Sequence, residues 1–272
     1  MRNLATYTLI IMLFFACSKD STSITIIPQD ESIDDEQNDS SEEPELSMQF
    51  LSVNGTRIVD GNQNDVKLQG VAFGNFIWTN TPEPAPHHTE EDFKRVKAMG
   101  MNTIRFYLHY LFFEDDSNPY SYKQSGWDWL DQNIEWAKKH DVYLILNMHA
   151  PQGGYQSQGN GDALWNQVEN QNRLVALWKA IAERYKYEAR IAGFGPVNEP
   201  VPSQAINQWS VLAQKLVDGI REVDENHLIF LERAIYVKGV NEVDENLNFP
   251  QVTGLKIVYE FHEYTPYRYD PS

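Results

Sequence analysis

Six short runs of nearly unbroken apolar residues recur at intervals of about 30–50 residues through most of the chain. They cover 67–73, "NTIRFYL" (102–108), "VYLILNMH" (142–149), "IAGFGPVN" (191–198), "HLIFLE" (227–232) and "KIVYEFH" (256–262). Strands without polar alternation are buried on both faces, which is the signature of a parallel sheet. The stretches between them carry apolar residues at helical spacing. Residues 88–100 place Thr89 as N-cap, acids in the first turn, Phe93 and Val96 on one face, and Gly100 as a stop. Residues 126–139 align Trp127, Leu130, Ile134 and Ala137, and residues 167–187 align Leu174, Leu177, Trp178, Ile181, Ala182 and Tyr185. A fourth helix, 204–222, carries Ile206, Trp209, Leu216 and Ile220. Ahead of the first run, Asn54-Gly55 and Asp60-Gly61 break an alternating stretch and predict a hairpin.

Alternating strands and helices define an α/β fold. No Gly-x-Gly-x-x-Gly follows the first strand and no phosphate-binding lysine loop occurs, so a nucleotide fold loses ground. The polar residues decide between the remaining arrangements. Arg105 sits within the second run, His149 ends the third, Asn198 and Glu199 end the fourth, and His262 and Tyr264 follow the sixth. In a (β/α)8 barrel every strand's C-terminal end opens onto one face, where active sites lie. That convergence predicts a (β/α)8 TIM barrel, with about six of the eight strands in this chain.

Those residues resemble glycoside hydrolase family 5, the cellulase-like retaining β-glycosidases. The resemblance spans about residues 52–270. "VKLQGVAFGNFIW" looks like the family's first strand, with Ala72 where the family often has Asn. "NTIRFYL" carries its arginine, "NMHAPQGGY" its histidine, "GFGPVNEP" its Asn-Glu-Pro, and "YEFHEYTP" its His-x-Tyr. Residues 164–186 resemble its helix before the catalytic strand. Any one motif is weak, but five in order at barrel spacing are strong.

The resemblance implies hydrolysis of β-linked polysaccharide, β-1,4-glucan or mannan, by double displacement. It makes Glu199 the acid/base and gives Asn198 the sugar 2-hydroxyl. It makes Arg105 the partner of the nucleophile, and has His149, His262 and Tyr264 position the nucleophile and the substrate hydroxyls. Read from the residues alone, Arg105 instead pairs with Glu260, which shares a strand face with His262, and the histidines are satisfied core groups. The family's nucleophile is a glutamate on a seventh strand, expected beyond residue 272, so this chain alone is expected to have little turnover. Glu260 lies too deep and Glu263 faces away, so both are poor substitutes. A strand-end Glu199 among apolar neighbours is expected to have its ionised form disfavoured. Trp78, Tyr155, Trp165, Tyr236 and Tyr267 fall in strand-end loops, where aromatic rings suit sugar faces, or simply pack.

The first 48 residues read differently from the rest. Arg2 precedes an apolar stretch, residues 4–16, too short to span a bilayer comfortably, and Cys17, the single cysteine, follows. "LFFAC" resembles a bacterial lipobox, which implies a signal peptide over 1–17, lipidation at Cys17 and an exported chain held to a membrane. Ser18 and the acidic run imply an outer-membrane or cell-surface lipoprotein of a Gram-negative, Bacteroidota-like bacterium. Residues 18–48 lack aromatics and are dense in acid, which predicts a disordered tether. Residues 49–272 then form the partial barrel. The net charge is −17, of which the first 48 residues supply −8, so the barrel is acidic on its own account and nucleic acid is excluded as a partner. No cofactor is expected. A metal-dependent hydrolase using His149, Glu199 and His262 is disfavoured, since no His-x-His cluster accompanies them. The remaining alternative is a surface glycan-binding lipoprotein without chemistry.

Overall fold

A computed structural model of the chain describes residues 49–79, 83–157, 159–235 and 249–263. Cys17, the acidic tether, Tyr236, Tyr264 and Tyr267 lie outside the described residues. The predicted hairpin is present, β1 (Ser52–Asn54) antiparallel to β2 (Arg57–Val59). Gly55 in its turn has φ +62°, which glycine adopts without steric cost.

β3 (Gly70–Phe73) opens the series of βα units. It is followed by α1 (Glu90–Ala98) and β4 (Thr103–His109). The N–H of Thr89 donates to the Asp92 carboxylate at 2.9 Å, closing the capping box that starts α1. A small hairpin, β5 (Glu114–Asp115) with β6 (Asn118–Tyr122), precedes α2 (Gln124–Lys139) and β7 (Tyr143–Ala150). Next come a short α3 (Asp162–Asn166), α4 (Val168–Tyr185), β8 (Ile191–Gly195), α5 (Asn207–Arg221), β9 (Leu228–Glu232) and β10 (Ile257–Glu260).

β3, β4, β7, β8, β9 and β10 form one six-stranded sheet, each beside its chain neighbour and every pair parallel. This is the sheet of an incomplete (β/α)8 barrel. Its two faces divide by strand parity. Ile104, Phe106, Leu108, Leu144, Leu146, Met148 and Phe194 pack outward with the helical residues Phe93, Leu130, Ile134, Leu177, Trp178 and Trp209. At roughly 25 cal/mol per Å² of apolar area, this layer is the dominant stabilising term. The opposite parity changes character along the strands. Near the N-terminal ends, Leu228, Phe230, Ile145 and Val258 meet Leu51, Val53 and Ile58 of the hairpin, which covers that end. Toward the C-terminal ends the same face becomes polar.

Tryptophans on the helices hold those C-terminal ends. Trp178 Nε1–H donates to the Pro196 carbonyl at 3.0 Å, and Trp209 Nε1–H to the Glu232 carbonyl at 2.8 Å. Gly193 is required by close approach. A Cβ there would lie 2.3 Å from the Leu228 carbonyl oxygen and 2.8 Å from the Phe230 ring. The β5–β6 hairpin, missed by sequence reasoning, is tied to α4 by buried Arg173, whose Nε–H donates to buried Glu114 at 2.7 Å.

Candidate active site

The polar layer is built by register. Arg105 on β4 stands beside Ile145 on β7, and Tyr107 beside Asn147. Glu232 on β9 pairs with Glu260 on β10, two carboxylates side by side. Arg105 neutralises them. Its Nη2–H donates to Glu232 Oε1 and, at 3.1 Å, to Asn198 Oδ1. Its Nε lies 3.0 Å from Glu260 Oε1, an ion pair without hydrogen-bond alignment. Burial works against the guanidinium's charge, and the two carboxylates override it.

Glu199 stands just past β8 and is 5 % exposed. Its φ of +45° lies in the left-handed region, which costs a non-glycine residue about 1–3 kcal/mol. Its N–H donates to Glu232 Oε2 at 2.7 Å, and its Oε1 is 2.7 Å from His262 Nδ1. The expected apolar surroundings of its carboxyl are therefore corrected. A strand-end turn over a charged layer brings an imidazole against it, because His262, just past β10, reaches over the end of the intervening β9. Asn198, fully buried, is anchored by its N–H to the Met148 carbonyl at 3.0 Å and by Nδ2–H to Ser157 Oγ at 3.0 Å.

His149 is buried, stacks on Tyr107 with ring centroids 3.8 Å apart, and lies 3.1 Å from Asn147 Oδ1 through Nδ1. Burial, then the charge of Arg105, lowers its pKa to about 3, so it is neutral at ordinary pH. His262 shifts the other way. Burial opposes its charge, but the hydrogen bonds to Glu199 and Glu260 and the charge of Glu232 raise its pKa to about 9. Glu232, the most buried carboxylate here, is pushed up by burial, against Arg105 and with Glu260. Glu260 is held down, despite burial, by its hydrogen bond to His262 and by Arg105.

The charged form of His262 is favoured by folding, since its folded pKa exceeds the unfolded value of 6.5. Its stabilisation is complete below pH 6.5 and is lost as pH rises toward 9. The thermal midpoint of the wild type is expected to fall across that window, and His262→Gln to remove most of the slope. Equal slopes in the two proteins would contradict the pairing.

The three described aromatic candidates for sugar stacking, Trp78, Tyr155 and Trp165, separate. Trp78 is 64 % exposed, with its ring 6.3 Å from His149 and 6.5 Å from Tyr107. With Tyr155, 5.6 Å from His149, it lines a cavity of ≈ 530 Å³ that also takes in His109, Tyr110 and Asn160. Glu199 lies in a separate, smaller recess of ≈ 70 Å³ with Glu232 and His262. Trp165 is corrected: it is 5 % exposed, packs edge-on against Trp209, and spends its N–H on Gln156 Oε1 at 2.7 Å. It is a core residue, because α3 turns it inward. The pairing of Arg105 with Glu260 is present, and Arg105 holds in addition Glu232, which sequence reasoning passed over. The signal was present, as Glu232 ends an apolar run much as Glu199 does. Glu232, Glu260 and His262 hold ligand-type atoms within 4.8 Å of one another, with Arg105 already balancing the two carboxylates.

A family model described as Cellulase (glycosyl hydrolase family 5) matches residues 59–271. The chain belongs to glycosyl hydrolase family 5. Among curated relatives, this family 5 chain is 31 % identical over 224 residues to "Beta-xylosidase" of Phanerodontia chrysosporium, covering 68 % of the chain and 46 % of that protein. It is 32 % identical over 181 residues to "Endoglucanase C" of Acetivibrio thermocellus, covering 66 % of the chain and 51 % of the relative. The chain thus spans about half the length of these curated relatives. Among solved structures it is similar to endoglucanase Cel5A of Thermotoga maritima, with TM-score 0.58, 23 % identity, and 72 % and 60 % of the two chains covered. It is also similar to endo-glycoceramidase II of Rhodococcus sp. in its ganglioside GM3 complex, with TM-score 0.62, 19 % identity, and 78 % and 59 % covered. Those structural likenesses support the barrel.

Proposed function

We propose that this chain acts as a retaining glycoside hydrolase on β-linked polysaccharide, β-1,4-glucan or mannan. One observation carries the reading: Glu199, buried at the end of a barrel strand, meets His262 and follows Asn198, which Arg105 holds, while an aromatic-lined cavity opens at the ends of other strands of the same sheet. On this reading Glu199 protonates the glycosidic oxygen and later activates water, while a second carboxylate on a seventh strand forms the glycosyl-enzyme. Glu232 and Glu260 are both committed to Arg105 and are not given that part. Asn198 meets the sugar 2-hydroxyl, and Trp78 and Tyr155 stack on flanking sugars. Assay of a polysaccharide panel with the protein as its cell makes it tests this. Glycan binding with no Glu199-dependent turnover would replace the reading with a non-catalytic glycan-binding lipoprotein.

The same proposal includes the N-terminus: Cys17 is lipidated and holds the protein at an outer-membrane or cell surface, supported by the apolar stretch before it. Cys17→Ala is expected to move the protein from the membrane fraction to the soluble fraction. An unchanged distribution would remove the anchor.

A further inference from the structure

We propose that Glu232 is a positioning residue for Glu199, holding the backbone turn that aims the acid/base carboxyl. The inference rests on the reading of Glu199 given above.

Glu199 occupies a left-handed conformation, φ +45°, which a non-glycine residue keeps only where its surroundings enforce it. Pro200 follows and has no N–H to help. The amide of Glu199 itself has its hydrogen bond to a side chain on the next strand, Glu232 Oε2, at 2.7 Å. Glu232 is 1 % exposed and cannot drift. Its other oxygen receives Arg105 Nη2–H, and Asn147 Nδ2 lies 3.5 Å away. Its own carbonyl accepts from Trp209 Nε1 at 2.8 Å, so its backbone is fixed from the helix layer. One carboxylate thus ties the guanidinium in the layer below to the peptide carrying Glu199.

Both oxygens of Glu232 must accept. A glutamine, in either amide orientation, turns an NH₂ toward one of two donors, Arg105 Nη2 or the Glu199 N–H. Glu232→Gln therefore loses one of the contacts without changing size. If Glu232 only stabilised the fold, all substrates would suffer alike. If it aims Glu199, the loss depends on how much acid assistance the leaving group needs.

The test compares a natural oligosaccharide with a dinitrophenyl glycoside, whose leaving group needs little protonation. For Glu232→Gln, kcat/KM is expected to fall roughly 10- to 100-fold on the first and less than about threefold on the second. Equal losses on both would overturn the proposal. Amide hydrogen exchange gives a readout independent of turnover. In the wild type the Glu199 amide should be protected like that of Asn198, whose N–H goes to the Met148 carbonyl at 3.0 Å. In Glu232→Gln or Glu232→Ala the Glu199 amide should exchange at least about tenfold faster while Asn198 is unchanged. An unprotected Glu199 amide in the wild type, or parallel changes at both amides, would overturn the proposal, and the wild-type measurement stands even if the variants fail to fold. Absence of turnover in the protein as its cell makes it would count against the hydrolase reading, and the exchange data would then decide this one.

Discussion

Glu199→Gln is expected to lower turnover of natural β-linked glycans by about 10²- to 10⁴-fold, the usual contribution of general acid–base catalysis. Glutamine keeps the size of the side chain and an oxygen that can face His262 Nδ1, 2.7 Å from the present carboxylate. The backbone hydrogen bond to Glu232 is untouched. What disappears is the proton that assists departure of the leaving sugar. Binding of the same glycan, measured by calorimetry, should therefore stay within about threefold, so the loss falls on kcat rather than KM. A variant with unchanged rates would remove Glu199 from the chemistry. A variant with weakened binding and unchanged kcat would make it a contact and nothing more.

Arg105→Met is expected to cost about 3–5 kcal/mol of folding stability, the size of effect seen when one partner of a buried ion pair is removed. Methionine fills much of the space but leaves Glu232 and Glu260, lateral neighbours in the ladder, facing each other without the guanidinium. The pH dependence gives the sign. Without Arg105 the buried Glu232 carboxyl is pushed further above its unfolded pKa, so stability falls as pH rises above the ordinary carboxylate range. Thermal melts should show the variant relatively better at pH 5 than at pH 8. Adding Glu232→Gln should recover part of the loss, a coupling that a double-mutant cycle measures. A loss that is pH-independent and additive would mean that Arg105 acts by packing alone.

The strands were legible because short, nearly unbroken apolar runs recur between stretches of helical spacing, and the helices because their apolar residues keep a single face. Thr89 and Asp92 even announced the start of α1. Arg105, His149, Asn198, Glu199 and His262 were legible as interruptions of apolar runs, and the structure gathers all five at one end of the sheet. Glu232 closes its apolar run as Glu199 does, but nothing near it in the chain marks its partners. Its importance lies in contacts 127 residues away to Arg105 and 33 residues away to Glu199, which no local pattern encodes. Glu114 and Arg173, 59 residues apart, escaped for the same reason. Trp165 misled because an aromatic ring in a strand-end loop looks the same whether it faces a sugar or, as here, the indole of Trp209.

The hairpin that covers the N-terminal ends of the strands also fixes where the barrel can be entered. Phe50, just ahead of β1, packs edge-on against His227, just ahead of β9, with ring centroids 5.1 Å apart. The polypeptide therefore joins the barrel at the pole opposite the mouth formed by Glu199, His262 and Trp78. A ligand that reaches the polar layer therefore enters from the C-terminal ends of the strands, because the hairpin and the apolar side chains beneath it close the other end.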